Sequence, residues 1–206
     1  DCPVKRAVSP EVICRLMTDR KPLPGKLAFS RDLFVLLFLL RGMPFVDLAF
    51  LRRCDLQGNV ITYHRRKTSR KLTVVVGKEA MEIIQKYMYA IPDSPYLFPI
   101  IQNPGKDEYG QYARMLRLQN YRLTQVANIL GIRDRLSTYT ARHTWATTAL
   151  RQNYNSSLIC DAMGHSSVKV TETYFQPYRD DEVNRMNSSL ITYILSKKKR
   201  GTDKKI

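Results

Sequence analysis

Residues 138–150 read TYTARHTWATTAL, and residues 161–175 read DAMGHSSVKVTETYF. The first segment predicts a helix with Arg142 at its start, and the second places Gly164 and His165 at a break after a helix. Tyr174 follows His165 by nine residues. Helix N-termini attract anions, Arg offers a planar fork to phosphate oxygens, and a Tyr hydroxyl is a nucleophile once its proton is removed. Together the segments favour phosphate chemistry, although Tyr174 or His165 alone would suit a structural role.

The spacing of apolar residues along the rest of the chain predicts a fold that is mainly α with a small antiparallel β-sheet. Two β-rich runs, 60–64 and 72–76, are joined by RRKTSRK, which indicates a hairpin with a basic tip. Ser9 and Pro10 predict a helix start, and Gly42 predicts a helix end. The other predicted helices cover residues 30–41, 44–51, 79–91, 112–119, 123–130, 141–152, 156–163, 168–175 and 180–195.

The net charge limits the kinds of partner that the chain is expected to bind. The 206 residues include 34 Lys and Arg against 18 Asp and Glu, a net charge of +16. A domain this basic repels itself unless a polyanion neutralises it, so nucleic acid is favoured over an anionic membrane or no charged partner. The apolar run at 33–40 is too short to span a bilayer and favours a buried helix.

The number and spacing of the cysteines indicate the redox state of the compartment in which the protein is expected to work. The four cysteines are Cys2, Cys14, Cys54 and Cys160, and they form no CxxC pair and lie beside no ligand-spaced histidines. We therefore expect reduced, mostly buried thiols rather than zinc ligands or disulfides. No secretory signal is recognised at the start, and the reduced thiols lead us to expect an intracellular, cytoplasmic protein.

Five stretches, in the family's order, resemble the tyrosine recombinase (phage integrase) family. GHSSVKVTETY resembles its C-terminal signature, ARHTWATTAL the segment of its second catalytic arginine, and the hairpin with Lys67 and Thr68 its β-hairpin lysine. RGMPFVDLAFLRRCDL resembles the first-arginine region, and SPYLFP resembles the loop usually found between. The resemblance implies the tyrosine-recombinase catalytic-domain fold and an enzyme that breaks and rejoins DNA strands.

The same resemblance implies a role for each matched residue. Tyr174 would attack the scissile phosphate and form a 3′-phosphotyrosyl link, while Arg142 would stabilise charge on the non-bridging oxygens. His165 would donate a hydrogen bond to that phosphate or help with proton transfer, and Lys67 would protonate the departing 5′ oxygen. Because the covalent link conserves the phosphodiester energy and Arg and His supply the electrostatics, we expect no cofactor and no metal.

Two positions depart from the family pattern. Pro44 occupies the slot of the first arginine and cannot bind phosphate, so we expect Arg41, at the end of the preceding helix, to supply that guanidinium unless it is a solvated helix charge. Tyr139 stands where the family usually has His and can still donate or accept a hydrogen bond. Asp47 matches the family's acidic position and is expected to act as a buttress, and His143 is expected to pack.

Other basic residues suit contacts to DNA phosphates. The expected partners are double-stranded DNA and further copies of the chain, which would assemble as a tetramer on DNA. The predicted DNA-binding residues flank Lys67 or lie on the helical region 112–130, and they are Arg65, Arg66, Arg70, Lys71, Arg114, Arg117 and Arg122.

The resemblance also sets the expected domain organisation. Residues 1–179 would form the catalytic domain, and residues 180–206 a C-terminal helix and basic tail, with the family's N-terminal DNA-binding domain absent from this chain. The C-terminal helix often docks on a neighbouring protomer in the family. Its apolar face would consist of Leu190, Ile191, Ile194 and Leu195. The biological setting implied is site-specific recombination or integration for a mobile element.

Two other interpretations stay open. The stretch LTQVANILGIRDRLSTYTARHTWAT resembles a helix-turn-helix, with Ala127 in the first helix and Gly131 at the turn, which suits a DNA-binding regulator without chemistry. The loss of the first arginine also suits a recombinase fold that has lost its activity.

Overall fold

The computed structural model describes residues 7–172 and 184–192. The chain divides into two compact units, residues 1–174 and 175–206. In the second unit, the described residues 184–192 form a helix on which Leu190 and Ile191 are exposed. Ile194 and Leu195, the other half of the predicted apolar face, lie outside the described residues. Neither described range contains a helix long and apolar enough to cross a membrane.

The first two helices establish the centre of the larger unit. Helix α1 spans Pro10–Thr18, with Ser9 at its N-cap position as predicted, and α2 spans Gly25–Leu39. Leu33, Phe34, Leu36 and Leu37 of α2 are fully buried, because this helix packs against α1 and three later helices. The apolar run is therefore a buried helix, as predicted.

Both predicted ends of α2 were wrong. The helix begins five residues before Ser30, because Pro24 suits the N-cap and Ser30 is instead buried inside the helix. It ends at Leu39 rather than Arg41, since Arg41 and Gly42 both adopt left-handed backbone angles, with φ of 60° and 66°. The segment after α2 is therefore a tight turn that leads into the short helix α3, Phe45–Ala49.

A three-stranded antiparallel sheet follows, in the order β1-β2-β3. After a turn of 3-10 helix at Arg53–Asp55, β1 spans Leu56–Gln57, β2 Val60–His64 and β3 Lys71–Val75. In the register of β2 and β3, Tyr63 lies opposite Leu72 and His64 opposite Lys71. This is the predicted hairpin with its basic tip.

Two long helical segments follow. Helix α4 spans Lys78–Tyr87, and α5 spans Glu108–Leu130. The prediction of two helices at 112–119 and 123–130 was wrong, because no breaker interrupts them and the stops lie at the ends. The Asp107 side chain accepts a hydrogen bond from the Gly110 amide at the start, and Gly131 adopts φ of 64° at the end. The SPYLFP segment lies between α4 and α5, with Leu97 and Phe98 buried.

Three helices complete the described part of the larger unit. The first carries Arg142, and His165 lies between the other two. Helix α6 spans Thr138–Arg151, α7 Ser156–Met163 and α8 Val168–Glu172. The Ser137 side chain caps α6 and the Asn155 side chain caps α7. The boundaries of α7 are those predicted.

The expectation of mostly buried thiols holds for one described cysteine. Cys160 on α7 is buried, whereas Cys14 and Cys54 are exposed, and all three are free thiols. Exposure arises because Cys14 lies on the outer face of the amphipathic helix α1, while Cys54 lies in the turn before β1. Cys2 lies outside the described residues.

Candidate active site

The Arg142 side chain lies at the centre of the candidate site. It projects from the second turn of α6 and is 2% exposed. Its Nη1 atom donates to the carbonyl oxygen of Gly42, and its Nη2 atom donates to the carbonyl oxygen of Met163 at 2.9 Å. These bonds join α6 to the turn after α2 and to the end of α7, so two other parts of the chain hold the guanidinium group.

His165 lies directly against this arginine. The Arg142 Nη2 atom lies 2.6 Å from His165 Nε2, and His165 Nδ1 lies 2.8 Å from the Thr171 hydroxyl. Burial, and after it the charges of Arg142, Arg65 and Lys67, together lower the pKa of His165 to about 3. The imidazole is therefore neutral near pH 7. Because Arg142 can only donate, Nε2 is the acceptor and Nδ1 carries the proton that is donated to Thr171.

Arg65 and Asp47 form the wall beside this pair. Arg65, which directly follows β2, is 7% exposed, and its Nη1 atom donates to the carbonyl oxygen of Gly164 at 2.8 Å. Its Nε atom lies 3.8 Å from Asp47 Oδ2, and the backbone amide of Arg66 donates to Asp47 Oδ1 at 3.0 Å. The predicted buttress role of Asp47 agrees with these contacts. A surface DNA-backbone contact by Arg65 does not, because Arg65 is buried.

Burial dominates the electrostatics of Asp47. Desolvation raises the pKa of this carboxyl, and the Arg66 amide and the Arg65 and Arg142 charges oppose that rise. Both arginines therefore act on the same carboxylate and on the same histidine. The sequence could not show this convergence, because Asp47, Arg65 and Arg142 come from α3, the hairpin and α6.

Lys67 lies at the tip of the hairpin and is exposed. Its charge contributes to the lowered pKa of His165, so the lysine lies within electrostatic reach of the pair. The neighbouring Thr68 hydroxyl donates to the Gly164 carbonyl at 3.3 Å and holds the hairpin against the end of α7. The structure thus brings together three of the predicted catalytic residues, Arg142, His165 and Lys67.

Of the two predicted tyrosines, Tyr139 lies within the described residues. Tyr139 is 47% exposed at the start of α6, and its ring meets the His143 ring edge-on at 4.5 Å between centroids. His143 is buried, which agrees with its predicted packing role. Tyr174, the predicted nucleophile, lies outside the described residues.

Arg41 is not brought to Arg142 and His165 by the contacts that the structure shows. Its Nη1 atom donates to the carbonyl oxygen of Thr73 on β3 at 3.2 Å, and its side chain lines a pocket with Trp145 and Ile159. The reason lies in the backbone, since Arg41 is part of the left-handed turn and not of the last turn of α2. The expected orientation into the cleft of Arg142 is therefore not observed.

The other predicted DNA contacts differ in exposure. Arg66 is exposed and stacks over the Phe50 ring at 3.8 Å from its centroid, while Arg70 pairs with Asp161 at 3.0 Å. Arg122 is half-buried on α5. The remaining residues of the predicted set are exposed, and they are Lys71, Arg114 and Arg117.

The site offers cations and an imidazole. Within residues 7–172 and 184–192, no three His, Cys, Asp or Glu side chains form a group that could hold a metal ion. Arg142, Arg65 and Lys67 are donors only, and His165 can accept or donate, so the arrangement suits an anion that changes its charge distribution during reaction.

The sequence model of the phage integrase family matches residues 7–180. Tyrosine recombinase XerC from Thermodesulfovibrio yellowstonii is 26% identical over 167 residues, which are 74% of this chain and 52% of that protein. This chain therefore spans about half the length of that relative.

The fold of the chain is similar to the folds of solved structures of other proteins. The Tn1549 transposon integrase in complex with transposon right end DNA has a TM-score of 0.69 at 15% identity, over 93% of this chain and 68% of that chain. XerA recombinase has a TM-score of 0.64 at 20% identity, over 92% of this chain and 65% of that chain. These likenesses confirm the predicted tyrosine-recombinase catalytic-domain fold, mainly α with a small antiparallel sheet.

Proposed function

Because this chain belongs to the phage integrase family, we propose that it is a site-specific recombinase that cuts and rejoins DNA through Tyr174. The observation that carries the proposal is the Arg142–His165 contact at 2.6 Å, with the Arg65 and Lys67 charges acting on the same imidazole. Two buried arginines beside one neutral histidine are costly to maintain, and a bound phosphodiester would neutralise their charge.

The proposed reaction has two steps of the same kind. The Tyr174 hydroxyl oxygen attacks phosphorus, the bond from phosphorus to the 5′ oxygen breaks, and a 3′-phosphotyrosine forms. The tyrosine proton goes to a base, and Lys67 gives a proton to the departing 5′ oxygen. In the second step a 5′ hydroxyl of another strand attacks the phosphotyrosine and releases Tyr174, so no energy source is consumed.

The residues around the phosphate have separate tasks. Arg142 binds the non-bridging oxygens, on which charge gathers in the transition state. His165 is neutral, so it can accept the tyrosine proton, but its Nε2 atom is already bonded to Arg142. The substrate phosphate has to take over that Arg142 N–H group before His165 acts on the reacting groups.

The partners and setting belong to the same proposal. A net charge of +16 suits binding to duplex DNA, and exchange of two duplexes needs four active sites, hence a tetramer on DNA. The integrase of the Tn1549 transposon has the same fold, which supports a mobile element as the setting. The cytoplasm is the compartment proposed for this activity.

A second candidate function is DNA binding without cleavage. The observation in its favour is Pro44, which stands in the slot of a phosphate-binding arginine. A protein that kept the fold and lost the chemistry would shift DNA on a native gel and leave no covalent product.

One experiment separates the two candidates. The chain is incubated with a nicked duplex library of randomised sequence, in which the nick lets the cleaved fragment diffuse away and traps the adduct. A labelled adduct on a denaturing gel supports the enzyme, and sequencing the trapped DNA gives the target. Tyr174→Phe removes only a hydroxyl, so it should bind the captured DNA and form no adduct. An adduct of normal yield with that variant would overturn Tyr174 as the nucleophile.

A further inference from the structure

Among the residues to which the resemblance assigns phosphate binding, Arg142 is the arginine that the structure places in the site. The charge on a reacting phosphate calls for a second cation. A phosphoryl group in its transition state spreads negative charge over its equatorial oxygens, and a single guanidinium covers only part of them. Pro44 supplies no charge, and the Arg41 guanidinium is bonded to the Thr73 carbonyl on β3. The chemistry therefore calls for another cation near Arg142.

Arg65 has the geometry that this task requires. It is 7% exposed, so its charge is shielded from solvent almost as completely as that of Arg142. Its Nη1 atom bonds to the carbonyl oxygen of Gly164, the residue directly before His165. In the described part of the chain this is the one hydrogen bond that the guanidinium makes, so N–H groups remain for a ligand.

The contacts of Arg65 also fix its orientation. Asp47 Oδ2 lies 3.8 Å from its Nε atom. A Cβ built on Gly164 would lie 3.1 Å from the Arg65 Cδ atom, so the side chain packs closely on that glycine. Asp47 and Gly164 together hold the arginine beside the histidine that contacts Arg142.

We propose that Arg65 is a second phosphate-binding catalytic residue and replaces the arginine that Pro44 has displaced. The inference rests on the proposed function and names a residue that binds the reacting phosphate in that function. Asp47 is then a positioning residue, because its carboxylate aligns the Arg65 guanidinium without touching substrate. The second positive charge of the site is then supplied by the hairpin and not by the segment between α2 and α3.

The first test removes the charge and keeps the shape. Arg65→Gln retains an N–H donor for the Gly164 carbonyl, and Arg65→Lys retains a charge without the fork. On the DNA captured by adduct formation, Arg65→Gln should slow cleavage by about 10²–10³, as loss of other charge-stabilising groups does, with Arg65→Lys between it and the unchanged protein. Arg151→Ala, at the exposed end of α6, is the control and should cleave at the normal rate. Arg41→Ala tests the alternative cation and should also cleave at the normal rate. Circular dichroism checks that each variant is folded.

The second measurement separates contact with phosphate from positioning. A methylphosphonate at the scissile position replaces one charged oxygen with a neutral methyl group, so a cation that neutralises that oxygen loses its task. The defect of Arg65→Gln should shrink by at least about tenfold on this substrate. An equal defect on both substrates, or normal cleavage by Arg65→Gln, would overturn the proposal. A large Arg41→Ala defect that methylphosphonate rescues would return the role to Arg41.

A third measurement does not depend on cleavage. Orthovanadate mimics a five-coordinate phosphate, and its binding can be followed through the NMR signal of the His165 side chain. Arg65→Gln should weaken vanadate binding at least about tenfold while Arg151→Ala leaves it unchanged. Equal affinity in Arg65→Gln contradicts the proposal. A chain that forms no adduct with any DNA contradicts the proposed function instead, and the vanadate result then decides on Arg65 alone.

Discussion

The Nη2 atom of Arg142 lies 2.6 Å from Nε2 of His165, so a guanidinium and a neutral imidazole share one buried contact between α6 and the segment after α7. The same Nη2 atom also donates to the Met163 carbonyl. This pairing makes the protonation of His165 and the position of Arg142 interdependent. It therefore affects how stability depends on pH, which side chains are tolerated at Gly42, and catalysis.

The first prediction concerns the stability of the folded chain as a function of pH. The pKa of His165 is about 3 in the folded state against 6.5 in an exposed histidine, so the folded state disfavours protonation. The stability that His165 contributes is present above pH 6.5 and is lost as pH falls towards 3. Between about pH 6.5 and pH 5 the free energy of unfolding should fall by at most about 1.4 kcal/mol per unit from this residue.

Urea unfolding at several pH values measures this slope. His165→Gln has nothing to protonate and should show a flatter profile than the unchanged protein. The raised pKa of Asp47 acts in the opposite direction in both proteins, so the difference between them isolates His165. Parallel profiles would contradict a buried neutral histidine.

The second prediction concerns Gly42, whose carbonyl accepts a hydrogen bond from Arg142. Its φ is 66°, and a Cβ added there would lie 3.1 Å from the Cα atom of Arg142. Gly58 has φ of 59° and open space around it, which makes Gly58→Ala a matched control for the backbone cost alone. That cost is about 1–2 kcal/mol in either variant.

Gly42→Ala should therefore destabilise the protein more than Gly58→Ala and should also slow cleavage, because the added methyl group displaces Arg142. Thermal unfolding and adduct formation measure the two effects. Equal losses of stability with normal cleavage would show that the close approach has no functional importance.

The third prediction concerns Lys67 as the donor of a proton to the leaving oxygen. A thiol has a pKa of about 8.5, far below that of an alcohol, so a sulfur leaving group departs without a proton. Lys67→Ala should slow cleavage of normal DNA by about 10² and cleave DNA with sulfur at the 5′ bridging position at nearly the normal rate. Lys78→Ala, at the exposed start of α4, should be normal on both substrates. An unrelieved Lys67→Ala defect would assign the proton to another group.

The fourth prediction concerns metals. Since the Arg and His side chains supply the charge stabilisation, excess EDTA should leave adduct formation unchanged. The gel assay used for Tyr174 measures this directly. Loss of the adduct in EDTA, with recovery on adding Mg²⁺, would indicate a nuclease-like mechanism in place of the proposed one.

The fifth prediction concerns the exposed arginines of α5. Arg114 and Arg117 are exposed one turn apart, and each DNA phosphate that is no longer neutralised should reduce the slope of log affinity against log salt by about 0.9. The double alanine variant should therefore bind DNA less tightly at low salt. Lys78→Ala, at the start of α4, serves as the comparison. An unchanged slope would remove these two residues from the DNA interface.

The sequence by itself determined the local structure and the chemical class. The hairpin strand β2, helix α7 and the buried α2 follow from period, capping residues and turn residues, because those signals act within a few positions of the chain. The family was indicated by the resemblance of five stretches to its motifs, above all the two that contain Arg142, His165 and Tyr174. The sequence prediction misplaced the ends of α2, because the left-handed turn at Arg41 and Gly42 has only a weak local signal. It also divided α5 into two helices, although no helix-breaking residue separates them.

Only the tertiary structure decided which cations meet. Arg65 and Lys67 lie on the hairpin and Arg142 lies far along the chain on α6, so their approach to His165 depends on how α3, the hairpin and α6 pack. Arg41 was the nearer substitute for Pro44 along the sequence, yet its backbone turns the side chain towards β3. Arg65 resembled a surface charge because its neighbours in sequence are exposed, and the fold buries it because Asp47 and Gly164 supply the partners that a buried charge requires.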